Sequence, residues 1–532
     1  MKKRIFSERL YSLTAVVLFL IYACIGIVCY DDYGCGPDEG MERQTALVNF
    51  KYVIHKLNIS IDEANETWLG YLPELHEYRD RYYGTALHFP LVLIESFFHF
   101  TLEPAQFYGL RHFYTFVNYY FGVICLYKLL SSRFGSKKFG IIGMLMMILS
   151  PRFFAESFYN NKDVIFVAWY AICLYLIDRW FRKRNLSNSV ILAFSLALTC
   201  NTRFNGIIFI PVFICLYIFD FLRNKNKAAL KYFLVVLFLS VIIFYLITPN
   251  FWEHPLQTLI ETLQFNMHHP NHGSDGNLFK GVLVDAAQTY TYVPVWIIIT
   301  TPVIYTLFIL LGTLWSLCEL IQQVLRRDFR SIRLTDLAML IVSYGAVFFI
   351  IFAHVTIYNG WRHCYFAYPC FVYFSVYLFS KLDNANYRPV KYVCAVALAV
   401  SMIYNIFWIL RNHPFEYVYF SPFARSSANQ FSGDYWGISS RALLEYITKI
   451  DPGRTITINH EFTQAGSINR GLLPLDKRDL IELVYEESDA VEYYIICRDD
   501  IPSVSLNIPD FQKIYSITVD QDEFAAVYKR AP

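Results

Sequence analysis

Apolar residues in this chain gather into long blocks, separated by short polar stretches, instead of recurring singly at amphipathic spacing. The blocks fall at 11–30, 113–130, 139–153, 164–179, 188–202, 206–222, 232–248, 293–318, 336–356, 364–380 and 391–410. Runs of this length and purity predict membrane-crossing helices, about 11 in number. Several are short for a ~20-residue crossing, which predicts tilted, kinked or protein-shielded helices. The polar stretches between them differ in charge. Half of the 46 Lys and Arg residues fall in the segments 2–9, 128–138, 179–184, 223–231, 326–333 and 381–391, which are alternate connections. Basic residues concentrate in this way on the cytoplasmic side. The segments 31–112, 151–163, 249–292 and 357–363, and everything after 410, are then expected on the opposite side. Residues 86–102 are apolar enough to suggest a further span, but it would invert every later basic loop. With His88, Pro90 and Glu95 inside it, this stretch reads as an amphipathic helix lying in the interface.

The last 120 or so residues change pattern. Thr455-Ile-Thr-Ile-Asn459, Val491-Glu-Tyr-Tyr-Ile-Ile-Cys497 and Ile514-Tyr-Ser-Ile-Thr-Val519 read as strands, with helical stretches near 434–450 and 477–486. The predicted fold is therefore mainly α. It is a polytopic membrane domain over 1–410, with outer loops 31–112 and 249–292, followed by a small extracytoplasmic α/β domain over 411–532.

Composition sharpens the membrane reading. Of 532 residues, 55% are hydrophobic and 17% charged, where a soluble chain usually carries about 25% charged residues. Met1-Lys-Lys-Arg4 before the first block resembles a signal peptide, but the apolar run is longer than such a segment has, so an uncleaved first helix is expected. The protein is thus read as multi-pass in the plasma or inner membrane. A net charge of +2 gives no sign of a nucleic-acid partner. The cysteines sit mostly inside apolar blocks, where packing is their ordinary role, and no C-x-x-C pair occurs. Cys29 and Cys35 could pair at the outer surface, although nothing requires it.

Candidate chemistry collects on the outer side. Asp38-Glu39 follows the first span directly. Two carboxylates at a membrane surface are either functional or simply solvated, like the acids at 62–77 that follow. Further on come Arg152, Glu156, Asn161, Lys162 and Asp163, then Arg203 at the end of a span, then Trp361-Arg362-His363. An arginine at a helix end snorkels more often than it binds a ligand. Glu156 and Asp163 could equally pair with Arg152 or Lys162. His254, His268, His269 and His272 lack metal-ligand spacing and read as a flexible polar loop, so no metal site is assigned. What singles these residues out is their shared face, on which arginines could grip phosphate and a carboxylate could deprotonate a hydroxyl.

Several blocks in this order resemble a known family. They are Asp38-Glu39, Ser150-Pro-Arg-Phe-Phe154 with Asn161-Lys-Asp163, and Thr202-Arg-Phe-Asn-Gly206. Leu278-Phe-Lys-Gly281, Tyr292-Val-Pro-Val-Trp296 and Thr300-Thr-Pro302 follow. Then come Trp361-Arg-His363, Tyr368-Pro369, His413-Pro-Phe-Glu-Tyr-Val-Tyr-Phe420 and Asp434-Tyr-Trp-Gly437. Together they are similar to the membrane glycosyltransferases related to protein O-mannosyltransferases and lipid A aminoarabinose transferases, which have the GT-C fold.

The resemblance implies inverting transfer of a sugar, of hexosyltransferase type, from a polyprenyl-phosphate donor to an acceptor hydroxyl at the extracytoplasmic face. It implies Asp38 as catalytic base with Glu39 in support. Arg203, Arg362 and Lys162 would hold the donor phosphate, and Glu156, Asn161, Trp361 and His363 would line the cavity. The acceptor, whether glycan, lipid or protein, stays open. No cofactor is assigned, family members differ in metal dependence, and a divalent metal stays open too. The His- and Asn-rich outer loop 249–292 departs from the mannosyltransferase pattern. A transporter or flippase of a lipid-linked glycan is the alternative. Against it, the polar residues lie at the ends of the spans and not at mid-membrane.

Overall fold

A computed structural model describes the chain except for residues 1, 268–275, 385–387, 487, 500–502 and 532, and the side chains of 2–5 and 384. Among the described residues most are helical, and seven helices are long and apolar enough to cross a membrane. They are Phe6–Cys29, Asp163–Arg182, Phe204–Asn224, Lys227–Leu246, Val303–Leu325, Leu334–Phe352 and Arg388–Asn412. Lys137–Ile148 and Pro151–Tyr159 form an eighth candidate, bent by 71° at the break between them. The protein is a multi-pass membrane protein.

Seven or eight such helices stand where eleven were expected, for physical reasons that differ by helix. Leu186–Thr202 is apolar but short. The helix Pro104–Phe134 contains the block 113–130 but carries Arg111, His112, Asn118 and Lys128 along its length. Tyr368–Asn384 is buried by its neighbours over most of its length, so its sequence is tuned to protein contact as much as to lipid. The block 293–318 is not one helix. Tyr292–Thr300 stops at Thr301, whose ψ of 139° is extended, and Pro302 precedes a new helix at Val303. Proline removes a helical N–H and disfavours helical geometry in the residue before it. Residues 86–102 hold only a nine-residue helix, Phe89–Phe97, too short to cross; it buries Leu91, Val92 and Glu95 and exposes Leu93, Ile94 and Phe97.

Small residues bring the helices close. A Cβ on Gly122 would stand 2.6 Å from the Cα of Ala168, so the helices Pro104–Phe134 and Asp163–Arg182 touch backbone to backbone there.

Residues after 410 form a five-stranded sheet in the order β4 (Ile481–Val484), β3 (Ile456–Phe462), β5 (Tyr493–Cys497), β7 (Asp522–Arg530) and β6 (Phe511–Val519). β3 runs parallel to β4 and β5, while β7 is antiparallel to both β5 and β6. Strands occur at the three expected places. Where a helix was expected at 477–486, only Leu475–Arg478 is helical, and Ile481–Val484 instead pairs with the edge of β3. A short apolar run is ambiguous by periodicity, and the open edge of β3 decides it. β7 was not foreseen; it follows Asp520 and Gln521, both at positive φ, as a two-residue hairpin turn requires. A smaller hairpin pairs β1 (Asn277–Phe279) with β2 (Val282–Val284). Buried residues of the sheet, such as Ile458, Tyr493 and Val527, belong to the same apolar cluster as the membrane helices.

Candidate active site

The helix Pro37–Lys56 begins at Gly36, with Pro37 in the first position, where its missing N–H costs nothing. Asp38 sits in that first turn, where the exposed N–H groups of the helix favour a negative charge. Its carboxylate is 27% exposed and receives a hydrogen bond from Arg362 Nη1 at 2.7 Å. Arg362 is almost wholly buried, and its guanidinium lies 4.6 Å from the ring centres of both Tyr358 and Trp436. Nη1 also approaches Asp163 at 3.6 Å. Asp163, at the start of its own helix, pairs through its other oxygen with Arg203. One turn beyond Asp38, the buried Glu42 pairs with Lys162, and Lys162 Nζ stands 3.2 Å from the centre of the Tyr83 ring. Three acids (Asp38, Glu42, Asp163) and three cations (Lys162, Arg203, Arg362) thus meet at one place, balanced in charge.

The surroundings set the ionisation. Enclosure pushes the Asp38 carboxyl up, but Arg362, Lys162 and Arg203 outweigh that and hold its pKa below the usual aspartate value. Burial raises Glu42 more than Lys162 lowers it. His88 Nε2, 3.6 Å from Glu42, is lowered to about 3 by burial and by the nearby Arg111 and Lys162, so that ring is neutral.

A cavity opens beside this network, bordered by Asp38, Tyr83, Lys162, Arg203, Tyr358 and His363 among others. The expected base and two of the three expected phosphate ligands therefore border one cavity, and Arg362 reaches it through Asp38. Of the residues expected to line it, His363 does. Glu156, Asn161 and Trp361 lie behind. Glu156 is fully buried and accepts hydrogen bonds from Tyr365 and Asn160, both at 2.8 Å. Asn160 Oδ1 in turn receives the backbone N–H of Asp163 at 2.9 Å, so Glu156 supports the network at one remove. The Trp361 indole donates to Thr300 Oγ1 at 2.9 Å. Glu39 faces away: its Oε1 accepts the Gly36 N–H at 3.1 Å and its Oε2 lies 3.0 Å from His112. Arg152 does not pair with the acids; it donates to the Tyr419 carbonyl and lies over Trp296 and Phe420.

Glu42 and Tyr83 were not singled out by sequence, and Asp163 was noted on the shared face without a role. Glu42 had a signal, because residues four apart on a helix share a face. Tyr83 had none. The loop that carries it is held against the end of the helix Leu186–Thr202 by a hydrogen bond from the Ala86 N–H to Asn201 Oδ1 at 2.9 Å. A Cβ on the intervening Gly84 would overlap the Asn201 carbonyl, so only glycine allows this approach.

Among the described residues, two groups could hold a metal: Cys29, Asp32 and His413, and Cys35, Glu39 and His112. Both lie outside the cavity lining. His268, His269 and His272 fall outside the described residues. Cys29 and Cys35 are both free.

Residues 112–248 match the model of the dolichyl-phosphate-mannose-protein mannosyltransferases. Over that stretch the chain is related to this family. The matched segment contains Lys162, Asp163 and Arg203, whereas Asp38 and Arg362 lie outside it. No curated protein matches by sequence. Among solved structures, ArnT from Cupriavidus metallidurans bound to undecaprenyl phosphate aligns at a TM-score of 0.47 and 10% identity, over 97% of this chain and 98% of its own. The apo state of the same protein aligns at 0.48 and 11% identity, with the same coverage.

Proposed function

We propose that the protein is a membrane glycosyltransferase that moves a sugar from a polyprenyl-phosphate donor to an acceptor hydroxyl, with inversion, at the extracytoplasmic face. The observation that carries this reading is the Asp38 carboxylate at the edge of a cavity it shares with Lys162 and Arg203, paired to Arg362. The relation of residues 112–248 to the mannosyltransferases supports it.

In a single displacement, the acceptor oxygen attacks the anomeric carbon as the bond from that carbon to the phosphate oxygen breaks. Asp38 takes the hydroxyl proton. The departing lipid phosphate gains negative charge, and Arg203, Arg362 and Lys162 are the groups placed to stabilise it. The resting pair has a further use. A phosphate entering the cavity competes for the Arg362 guanidinium, which otherwise depresses the basicity of Asp38. Donor binding therefore releases the base when its substrate is in place.

The test is transfer of labelled sugar from polyprenyl-phosphate donors to candidate acceptors in liposomes. Asp38→Asn is expected to remain folded and to lose transfer by about 10³-fold or more, since both the base and its charge are removed. Undiminished transfer by that variant rejects Asp38 as base. Lipid scrambling without transfer by the wild type rejects the enzyme in favour of a flippase.

A further inference from the structure

Glu39, though adjacent to Asp38, belongs to a separate cluster. Cys35, Glu39 and His112 are each no more than 2% exposed, and their ligand atoms all lie within 4.8 Å of one another. His112 Nδ1 lies 3.1 Å from the Tyr30 carbonyl oxygen. A carbonyl only accepts, so Nδ1 carries the proton and Nε2 faces the cluster. That arrangement is the usual way in which a metal-binding histidine is oriented. Nε2 lies 3.6 Å from Cys35 Sγ and 3.0 Å from Glu39 Oε2.

The plainer explanation is an imidazolium paired with the Glu39 carboxylate. In that case the Nε2 proton should point at Oε2. The Nε2 contact with hydrogen-bond geometry is instead to sulfur, and Glu39 Oε2 is buried without receiving a hydrogen bond. One carboxylate oxygen, one imidazole nitrogen and one sulfur converge there, and the Cys35 thiol proton, which faces Glu39 and His112, is the hydrogen an ion would displace. Zinc bond lengths of about 2.3 Å to sulfur and 2.0–2.2 Å to nitrogen and oxygen put tetrahedral ligands about 3.3–3.7 Å apart; here the nitrogen lies 3.0 Å from the oxygen and 3.6 Å from the sulfur, and all three atoms fall within 4.8 Å of one another. A thiolate, a carboxylate and a neutral imidazole also balance a divalent charge, which suits so dry a place.

We propose that Cys35, Glu39 and His112 form a binding site for a divalent transition-metal ion, with zinc the best fit. Three protein ligands leave one coordination position for water. The site is distinct from the charged cavity. Its chain segments explain what the ion does: Cys35 and Glu39 flank Asp38 at the start of the Pro37 helix, and His112 lies on Pro104–Phe134. The loop at Cys35 is further fixed by Asn469, which accepts the Cys35 N–H and donates to its carbonyl, each at 2.9 Å. The ion positions the turn that presents Asp38 and takes no part in chemistry.

The assignment is tested on the resting protein, so its outcome is independent of any transfer assay. Full-length protein in detergent, purified in metal-free buffers after zinc loading, is expected to retain about one zinc per chain by elemental analysis. Cobalt loading is expected to give the near-ultraviolet thiolate-to-cobalt charge-transfer band, lost in Cys35→Ser. Cys35→Ser and His112→Asn are each expected to lower retained zinc at least tenfold while eluting as folded protein. Retention equal to wild type in both variants overturns the site. If neither variant folds, the wild-type cobalt spectrum decides: a thiolate band supports the site and its absence rejects it.

Discussion

The helix Pro104–Phe134 leads from one charged cluster to another, and the two clusters are built differently. At its far end Arg133 meets Asp336 with two parallel hydrogen bonds, at 2.7 and 2.6 Å, and Tyr373 closes on the same carboxylate. Nearby, Glu319 accepts from Lys381 and Tyr377 at 2.5 and 2.6 Å. Each acid there has a matched cation and a tyrosine cap, and neither acid borders the cavity. At the other end, Asp163 is shared by two arginines, Arg362 is shared by two acids, and aromatic faces cover the cations. A closed pair holds helices together, whereas a shared network beside a cavity can exchange a partner for a ligand. The composition of the two ends is alike; what separates them is whether an incoming anion has anything to displace.

The comparison is broken most severely by Arg362→Gln. Removing a cation from the shared network is expected to cost transfer about 10²–10³-fold, read as kcat/KM with the polyprenyl-phosphate donor. Loss of folding without a change in activity per folded molecule would put Arg362 in the same class as Arg133. The converse variant is Arg133→Gln. It leaves Asp336 partly buried without its cation, and is expected to lower stability by about 3 kcal/mol with transfer per folded protein unchanged.

A smaller effect comes from His413, which bonds to Glu416 at 2.8 Å and to Asp32 at 3.0 Å. Burial lowers its pKa, but those two carboxylates raise it further, to about 9. A raised folded-state pKa stabilises fully below the unfolded value of about 6.5, and that contribution is lost as pH rises toward 9. His413→Gln should therefore lower the melting temperature at pH 6 and have little effect above pH 9. A loss independent of pH would show that packing, not charge, is at work. Smallest of all is Glu253→Gln. Its partner Lys56 is exposed and the pair is screened by solvent, so no measurable change in melting or transfer is expected.

The sequence showed the helical blocks, the strands β3, β5 and β6, and the outer charged residues, because block hydrophobicity and charge segregation are local properties. It also placed Asp38, Lys162, Arg203 and Arg362 near one another through the shared face. What it could not show was pairing. Glu39 and Asp38 are neighbours in sequence, but successive helical residues point about 100° apart, so one faces the cavity and the other faces His112. Tyr83 depends on an approach between Gly84 and Asn201 that leaves no periodic trace. β4 was hidden because the partner that selects it, the edge of β3, lies more than twenty residues earlier in the chain.

Trp436, from the sheet-bearing end of the chain, lies over the same guanidinium that holds Asp38, which comes from the beginning. This sets an order of events during synthesis. A ribosome-bound chain that has inserted its first helices already carries Asp38, Glu42, Lys162 and Arg203, but not Arg362 or its aromatic cover. The cluster of acids and cations is therefore incomplete until the last segment of the chain docks on Arg362.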